Sequence, residues 1–297
     1  MMNFLALISA FGIIAIAHLL HHGFIEATTT VINLSKPKGT VKTIKSDYGD
    51  IIDCISIYKQ ISFDNPLIKS SQLNLNLEKQ EGEYLGASAK FSVPNPRTQQ
   101  DDFSLAQIWL ITEMDTQRLN AIEAGWTSDR YNRTGCYNLL CEGFVQTSRT
   151  FAVGSPLSIS SEIKVSVFKD SETGNWWLQV DDEFIGYWPR IIFNALNSTV
   201  DKILWGGEVY YKDHSGEHTT TEMGNGQFPV NGTRASHVRN LQVMKRLHKW
   251  SSPDWSLTQT VTKPKCYDLR IPSFLKRKSD WGVYFYYGGP GRSRECP

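Results

Sequence analysis

From Tyr84 onward the chain is divided into short runs of β-branched and aromatic residues, separated by turn signals at intervals of roughly ten residues. Examples are Ala87–Val93, Leu105–Thr112, Asn120–Trp126, Ile163–Phe168, Trp176–Asp181, Ile203–Tyr211 and Trp281–Tyr287. Pro94, Asn95-Pro96, Gly174-Asn175, Ser215-Gly216, Gly224, Gly226 and Gly288-Gly289-Pro290 punctuate them. This pattern predicts an all-β fold, an antiparallel sandwich or barrel. One helix is predicted after Trp188, with Pro189 in its first turn and Ile191-Ile192-Phe193 and Leu196 following. No internal repeat is present.

The N-terminal part reads differently. Phe4 to Ala17 carries no charge and is too short to span a bilayer, so it reads as a secretory signal cut between Ala17 and Ala27. No later segment could cross a membrane, so no stable membrane association is expected after cleavage. A polar stretch, Thr28 to Ser46, leads to a short amphipathic unit, Gly49–Gln60, closed by Asp64-Asn65-Pro66. Residues 69–83, rich in Ser, Gln, Asn, Glu and Lys, read as a linker. The expected organisation is therefore a signal at 1–27, a pro-segment and linker at 28–83, and a main domain at 84–297.

An exported protein should pair its cysteines, and there are five: Cys54, Cys136, Cys141, Cys266 and Cys296. Cys136 with Cys141 could staple one loop, and Cys266 with Cys296 could tie down the C-terminal end, leaving Cys54 over. Sequons at Asn33, Asn132, Asn197 and Asn231 fit an extracytoplasmic route, to the extracellular space or the vacuole.

Several classes of function are disfavoured. A net charge of +1 gives no bulk electrostatic case for nucleic acid or an anionic membrane. There is no G-x-S-x-G, phosphate loop or dinucleotide fingerprint. His214 and His218 are four apart, but Gly216 between them argues for a turn rather than a metal-binding helix. No metal and no cofactor is expected.

Two carboxylates stand out. In Leu204-Trp205-Gly206-Gly207-Glu208-Val209-Tyr210, strand alternation puts Glu208 on one face with Leu204, Gly206 and Tyr210. In Ala121-Ile122-Glu123-Ala124-Gly125-Trp126, Glu123 shares a face with Ala121 and Gly125. Each carboxylate lies beside small residues, as on a cleft floor with room for a bound chain. Paired carboxyls perform acid–base chemistry when their surroundings separate their pKa values. The same chemistry serves glycosidases, but there the expected pair is i, i+4 on one strand, and these two lie far apart in sequence. Gln107 and Gln179, polar residues within apolar strands, are candidates for supporting hydrogen bonds. Trp126, Trp177 and Tyr187 are candidate substrate contacts.

The chain resembles the neprosin family of plant secreted glutamic peptidases. The resemblance runs through Phe103-Ser104-Leu105-Ala106-Gln107-Ile108-Trp109, Ile122-Glu123-Ala124-Gly125-Trp126 and Thr134-Gly135-Cys136-Tyr137-Asn138-Leu139-Leu140-Cys141. It continues through Gly174-Asn175-Trp176-Trp177-Leu178, Gly186-Tyr187-Trp188-Pro189, Trp205-Gly206-Gly207-Glu208-Val209, His218-Thr219-Thr220-Thr221 and Tyr284–Gly291. It implies a β-sandwich of two antiparallel sheets with a glutamate dyad, Glu123 and Glu208, in a concave active-site cleft. Pairing of Cys136 with Cys141, and of Cys266 with Cys296, is implied too. So is a pro-segment, around Gly49–Leu67, that blocks the cleft until acid-triggered removal, and cleavage after proline. Family members carry further strand-like residues between the A-G-W and T-S-D blocks, which here adjoin as Trp126 and Thr127-Ser128-Asp129. The expected protein is a monomeric, acid-active endopeptidase made as a zymogen. The rival readings are a sandwich that only binds extended peptide or wall polymer, and a carbohydrate-active enzyme.

Overall fold

The computed structural model describes residues 2–10, 40–45, 51–55, 73–79, 82–113, 119–128, 143–193, 195–211, 217–230, 234–255, 257–273 and 278–297. Its strands, in chain order, begin with β1 (Met2–Ala10), β2 (Thr40–Lys45), β3 (Ile51–Ile55), β4 (Leu73–Lys79), β5 (Tyr84–Ser92), β6 (Phe103–Glu113) and β7 (Leu119–Ser128). Then follow β8 (Val145–Gln146), β9 (Pro156–Leu157), β10 (Glu162–Lys169), β11 (Trp176–Val180), β12 (Glu183–Trp188) and β13 (Lys202–Tyr210). The last are β14 (Ser236–Lys245), β15 (Trp250–Ser251), β16 (Thr258–Val261), β17 (Asp268–Arg270) and β18 (Phe285–Gly288). One sheet has the order β16-β4-β13-β6-β7-β1-β9. The other has the order β17-β18-β14-β5-β10-β11-β12-β8, with β15 on β14, and β2–β3 form a separate hairpin. Every pairing is antiparallel, so the fold is the expected all-β sandwich.

Strand alternation assembles the core. From the first sheet come Ala106, Ile108 and Leu110 of β6, Ile122, Ala124 and Trp126 of β7, and Ile203, Trp205 and Val209 of β13. From the second come Ala87, Ala89 and Phe91 of β5, Val165 and Val167 of β10, and Trp176, Leu178 and Val180 of β11. All are buried in one continuous cluster, as two interdigitated inner sheet faces require. Gly207 is needed where β13 crosses the second sheet: a Cβ there would lie 3.0 Å from the Tyr287 ring and 3.1 Å from Met223 Sδ.

Four details differ from the sequence reading. The run expected to end at Asp181 stops at Val180, because Asp181 and Asp182 both take positive φ, 47° and 70°. That is the geometry of a two-residue hairpin turn between the paired residues Val180 and Glu183. Asp side chains tolerate it, and here Asp181 Oδ1 also accepts the Lys164 backbone N–H at 2.8 Å. The helix predicted after Trp188 is a single 3-10 turn, Arg190–Ile192. Phe193 returns to extended backbone and Ile191 is 87% exposed, so no apolar stripe exists to hold a longer helix. Of the run Trp281–Tyr287, only the end is strand, and Ser279–Trp281 is another 3-10 turn.

The fourth difference lies in the predicted linker. Leu73–Lys79 is strand β4, pairing with both β13 and β16. Its period-2 pattern, Leu73-Asn74-Leu75-Asn76-Leu77, is a half-buried strand pattern hidden in a polar composition. At the N-terminus, Met2–Ala10 pairs with β7 from Asn120 to Thr127, with Leu7 opposite Glu123. This segment takes the sheet position next to β7, on the side away from β6.

Candidate active site

The site lies on the outer face of the first sheet, where three neighbouring strands carry its side chains. β6 runs between β13 and β7. Leu105 pairs with Glu208 and with Thr127; Gln107 pairs with Gly206 and Gly125; Trp109 pairs with Leu204 and Glu123. Residues paired across strands point to one face, so Glu208, Gln107 and Glu123 point the same way. The glutamates occupy opposite ends of a diagonal across three strands, and Gln107 is its midpoint. Diagonal neighbours on adjacent strands stand about 7–8 Å apart, within reach of long side chains.

The two glycines in the Gln107 row leave the amide unflanked by other side chains. At Gly125 a Cβ would lie 2.0 Å from the Ala106 carbonyl oxygen and 2.5 Å from Gln107 Cα. Only glycine lets β7 approach β6 so closely at this row. Leu105 and Trp109, with Phe103, Ile111 and Leu204 partly buried around them, form a small apolar group on the same face. The sequence reading had not proposed these five as a group beside the glutamates. The alternation that aligned Gln107 with the glutamates also aligns Leu105 and Trp109.

The electrostatics are those of carboxyls deprived of water. Gln107 is fully buried, and its Nε2 donates to Glu123 Oε2 at 2.7 Å. Burial raises the Glu123 carboxyl from 4.5 to about 7, against the opposing pull of the Gln107 hydrogen bond. Glu208 is 2% exposed. Its carboxyl is raised well above the ordinary range, first by burial and then by the charge of Glu123. Glu208 Oε1 and Gln107 Oε1 are both buried with no hydrogen-bond partner among the described residues. The arrangement favours one ionised and one protonated carboxyl near neutrality, the condition for coupled acid–base work.

A clamp at one end fixes the strands that carry the site. Asp102, directly before β6, is buried and accepts Thr219 Oγ1 and Thr221 Oγ1 through Oδ2, each at 2.5 Å. Tyr267 Oη donates to the Thr221 carbonyl at 2.8 Å. Arg97 Nε donates to Glu222 Oε1 at 2.8 Å, and its backbone N–H to Oε2 at 2.9 Å. The His218–Thr221 block thus holds the entry to β6. Cys266 and Cys296, both buried, are joined as a disulfide. His218 lies beside these sulfurs, but they are committed to each other, and its Nδ1 is bonded to the Thr219 carbonyl at 3.0 Å.

Not every candidate gathers here. Trp126 lies on the opposite face of β7, fully buried in the core, with Nε1 donating to the Ser92 carbonyl at 3.0 Å. It is a core residue rather than a substrate contact, because it is one residue out of phase with Gly125 and Glu123. Trp177, Gln179 and Tyr187 are on the second sheet. Their strand neighbours Trp176, Leu178 and Trp188 face the core, so these three face outward, across the whole sandwich from the glutamates. Trp177 there packs on Tyr187 and Phe184. Asn197 is exposed. Cys136, Cys141, Asn33, Asn132, Asn231 and His214 lie outside the described residues.

The fold and the site together define a β-sandwich with one buried and one half-buried carboxyl set about a buried amide on its outer face. Residues 100–290, well over half of the chain, match the family described as Neprosin, and the chain belongs to that family. Among solved structures it is similar to that of SCP-B, a member of the Eqolisin family of peptidases, in a complex with the tripeptide Ala-Ile-His. Identity is 11% and the TM-score 0.43, over 74% of this chain and 98% of that one. It is also similar to scytalido-glutamic peptidase with a peptide-based transition state analog, at 10% identity, TM-score 0.43 and the same coverage.

Proposed function

We propose that this protein is a secreted glutamic endopeptidase, made as a zymogen, that hydrolyses peptide bonds after proline, its activity in acid limited by a base, Glu123, that ionises at about 7 rather than at the ordinary carboxylate value. Family membership supports a peptide hydrolase of the glutamic type. The observation that carries the mechanism is the placement of Glu123 and Glu208 on one sheet face, both with raised pKa values, about a shared amide. Glu123, ionised, takes a proton from a water molecule whose oxygen attacks the scissile carbonyl carbon. Glu208, protonated, gives its hydrogen to the developing oxyanion. The tetrahedral intermediate collapses, the C–N bond breaks, and the leaving amine takes the proton held by Glu123. Glu208 recovers its proton as the new carboxyl group forms. Phe103, Ile111 and Leu204, the partly exposed members of the apolar group packed on Leu105 and Trp109, offer a surface on which a proline ring can pack. The pro-segment occupies the cleft of the zymogen and is removed in acid.

The test is a digest of a proline-rich peptide library by the exported protein at several pH values, read by mass spectrometry, with Glu208→Gln alongside. Cleavage after proline by the wild type alone, falling away in acid as Glu123 is protonated, supports the reading. A folded, pro-segment-free wild type that binds these peptides and cuts none of them makes the protein a binding module. Release of reducing sugar from wall glycans without peptide cleavage makes it a glycosidase.

A further inference from the structure

We propose that Gln107 is the positioning residue that assigns the two glutamates their opposite roles, its amide nitrogen holding Glu123 as the carboxylate and its amide oxygen accepting the hydrogen of a protonated Glu208. This inference rests on the two-glutamate reading and deepens it. A primary amide is chemically directional: its NH2 only donates and its carbonyl only accepts. A carboxylate only accepts, whereas a carboxylic acid has one hydrogen to give. An amide midway between two carboxyls is satisfied at its oxygen end only when the carboxyl there is protonated, and its nitrogen end binds an ionised carboxyl more strongly than a neutral one.

The coordinates place the parts in that order. The Gln107 nitrogen is 2.7 Å from Glu123 Oε2. At the other end, Gln107 Oε1 and Glu208 Oε1 are two buried oxygens without partners among the described residues, on diagonal neighbours of adjacent strands. Two buried orphan acceptors are costly, and a single proton on Glu208 satisfies both. Reversing the roles would leave the Gln107 oxygen facing a carboxylate and its nitrogen facing an acid. Flipping the amide to follow that reversal has to take place in a fully buried site between two strands.

Among the described residues, few other charged positions face the triad. On β6 the neighbours Leu105 and Trp109 do not titrate. Glu113 and Lys202, on β6 and β13, fall in rows beyond Trp109, at the end away from Glu208. On β4 the register places Asn74 beside Glu208 and Glu78 beside Leu204. On β1 it places Asn3, Leu5, Leu7 and Ser9 along β7, none of them ionisable. Among the described residues, the amide is the group paired in row with neither glutamate that lies next to both.

The test is the pH profile of kcat/KM for wild type, Gln107→Met and Gln107→Glu. In Gln107→Met, Glu123 loses a donor that favours its ionised form, so the acid limb moves to higher pH. Glu208 loses an acceptor that favours its protonated form, so the alkaline limb moves to lower pH. The bell narrows from both sides, each by about one pH unit, and its maximum falls at least about tenfold. Gln107→Glu keeps the size and, while protonated, one donor and one acceptor. It therefore retains activity at the acid end and loses it where the new carboxyl ionises, and it carries the test if Gln107→Met does not fold. A profile lowered uniformly with both limbs unmoved, in a variant melting like the wild type, overturns the proposal and leaves Gln107 a packing residue. An inactive wild type instead overturns the peptidase reading, and is seen before any variant is made.

Discussion

Gln107 and Glu123 are diagonal neighbours on adjacent strands, joined by a hydrogen bond of 2.7 Å from amide to carboxylate. The bond opposes the effect of burial, which lifts the Glu123 carboxyl to about 7. The balance leaves a base that ionises near neutrality rather than at the ordinary carboxylate value, beside a second carboxyl held protonated.

Replacing either carboxyl with its amide isostere should stop the chemistry without harming the fold. Glu123→Gln and Glu208→Gln are each expected to lower kcat/KM at least about a thousandfold. Because each removes an ionisable group that is wholly or partly withdrawn from water, neither should lower the melting temperature at pH 7. Residual cleavage by a clean preparation of Glu123→Gln, measured by mass spectrometry, would remove that residue from the mechanism.

Stability should peak in mild acid. Glu123 and Glu208 have raised values in the folded state, so the fold holds more protons than the unfolded chain above pH 4.5. The stability linked to Glu123 is fully present below 4.5 and is lost as pH rises through about 7, a change of about 3 kcal/mol at most. Glu162 works in the opposite direction. Arg239, chiefly, and His237 hold its carboxyl down at about 2, so its contribution is present above 4.5 and lost as pH falls toward 2. Melting temperature measured against pH should therefore show a maximum between the two. Glu123→Gln should flatten the neutral side and Glu162→Gln the acid side. A wild type more stable at pH 7.5 than at 4.5 would contradict this account.

Gly125→Ala tests the close approach of β7 to β6. The added carbon would lie 2.0 Å from a backbone oxygen, so the strands must part. We expect a loss of about 2 kcal/mol or more, and lower kcat as Glu123 draws away from Gln107. For a domain of this size that is roughly 4–8 °C in melting temperature, readable by calorimetry. An unchanged Tm would show that the strands are not so tightly apposed.

Trp126 and Trp177 should behave in opposite ways. Trp126→Phe removes core volume and the hydrogen bond to the Ser92 carbonyl, and should cost about 2 kcal/mol. Trp177→Ala, on the outer face of the other sheet, should leave kcat/KM within about twofold. A marked rise in KM for Trp177→Ala at unchanged Tm would instead bring that face into substrate binding.

The alternation of apolar and polar residues determined much of this protein from the sequence alone. It placed Glu208 on the face of Gly206 and Glu123 on the face of Gly125, because a strand allows its side chains only two directions. It also marked Gln107 as out of keeping with its apolar strand. Composition misled at Leu73–Lys79, where polar residues masked a period-2 leucine pattern, and aromatic content misled at Trp126, Trp177 and Tyr187. What the sequence could not decide was which strands are neighbours. Glu123 and Glu208 meet only because β6 pairs with both β7 and β13, and that pairing order comes from packing two sheets into one core. Long-range strand order depends on the sum of many weak apolar contacts, none of which is legible at a single residue. The tertiary structure therefore decided which amide stands between the glutamates, and which aromatics are core, outer surface or site.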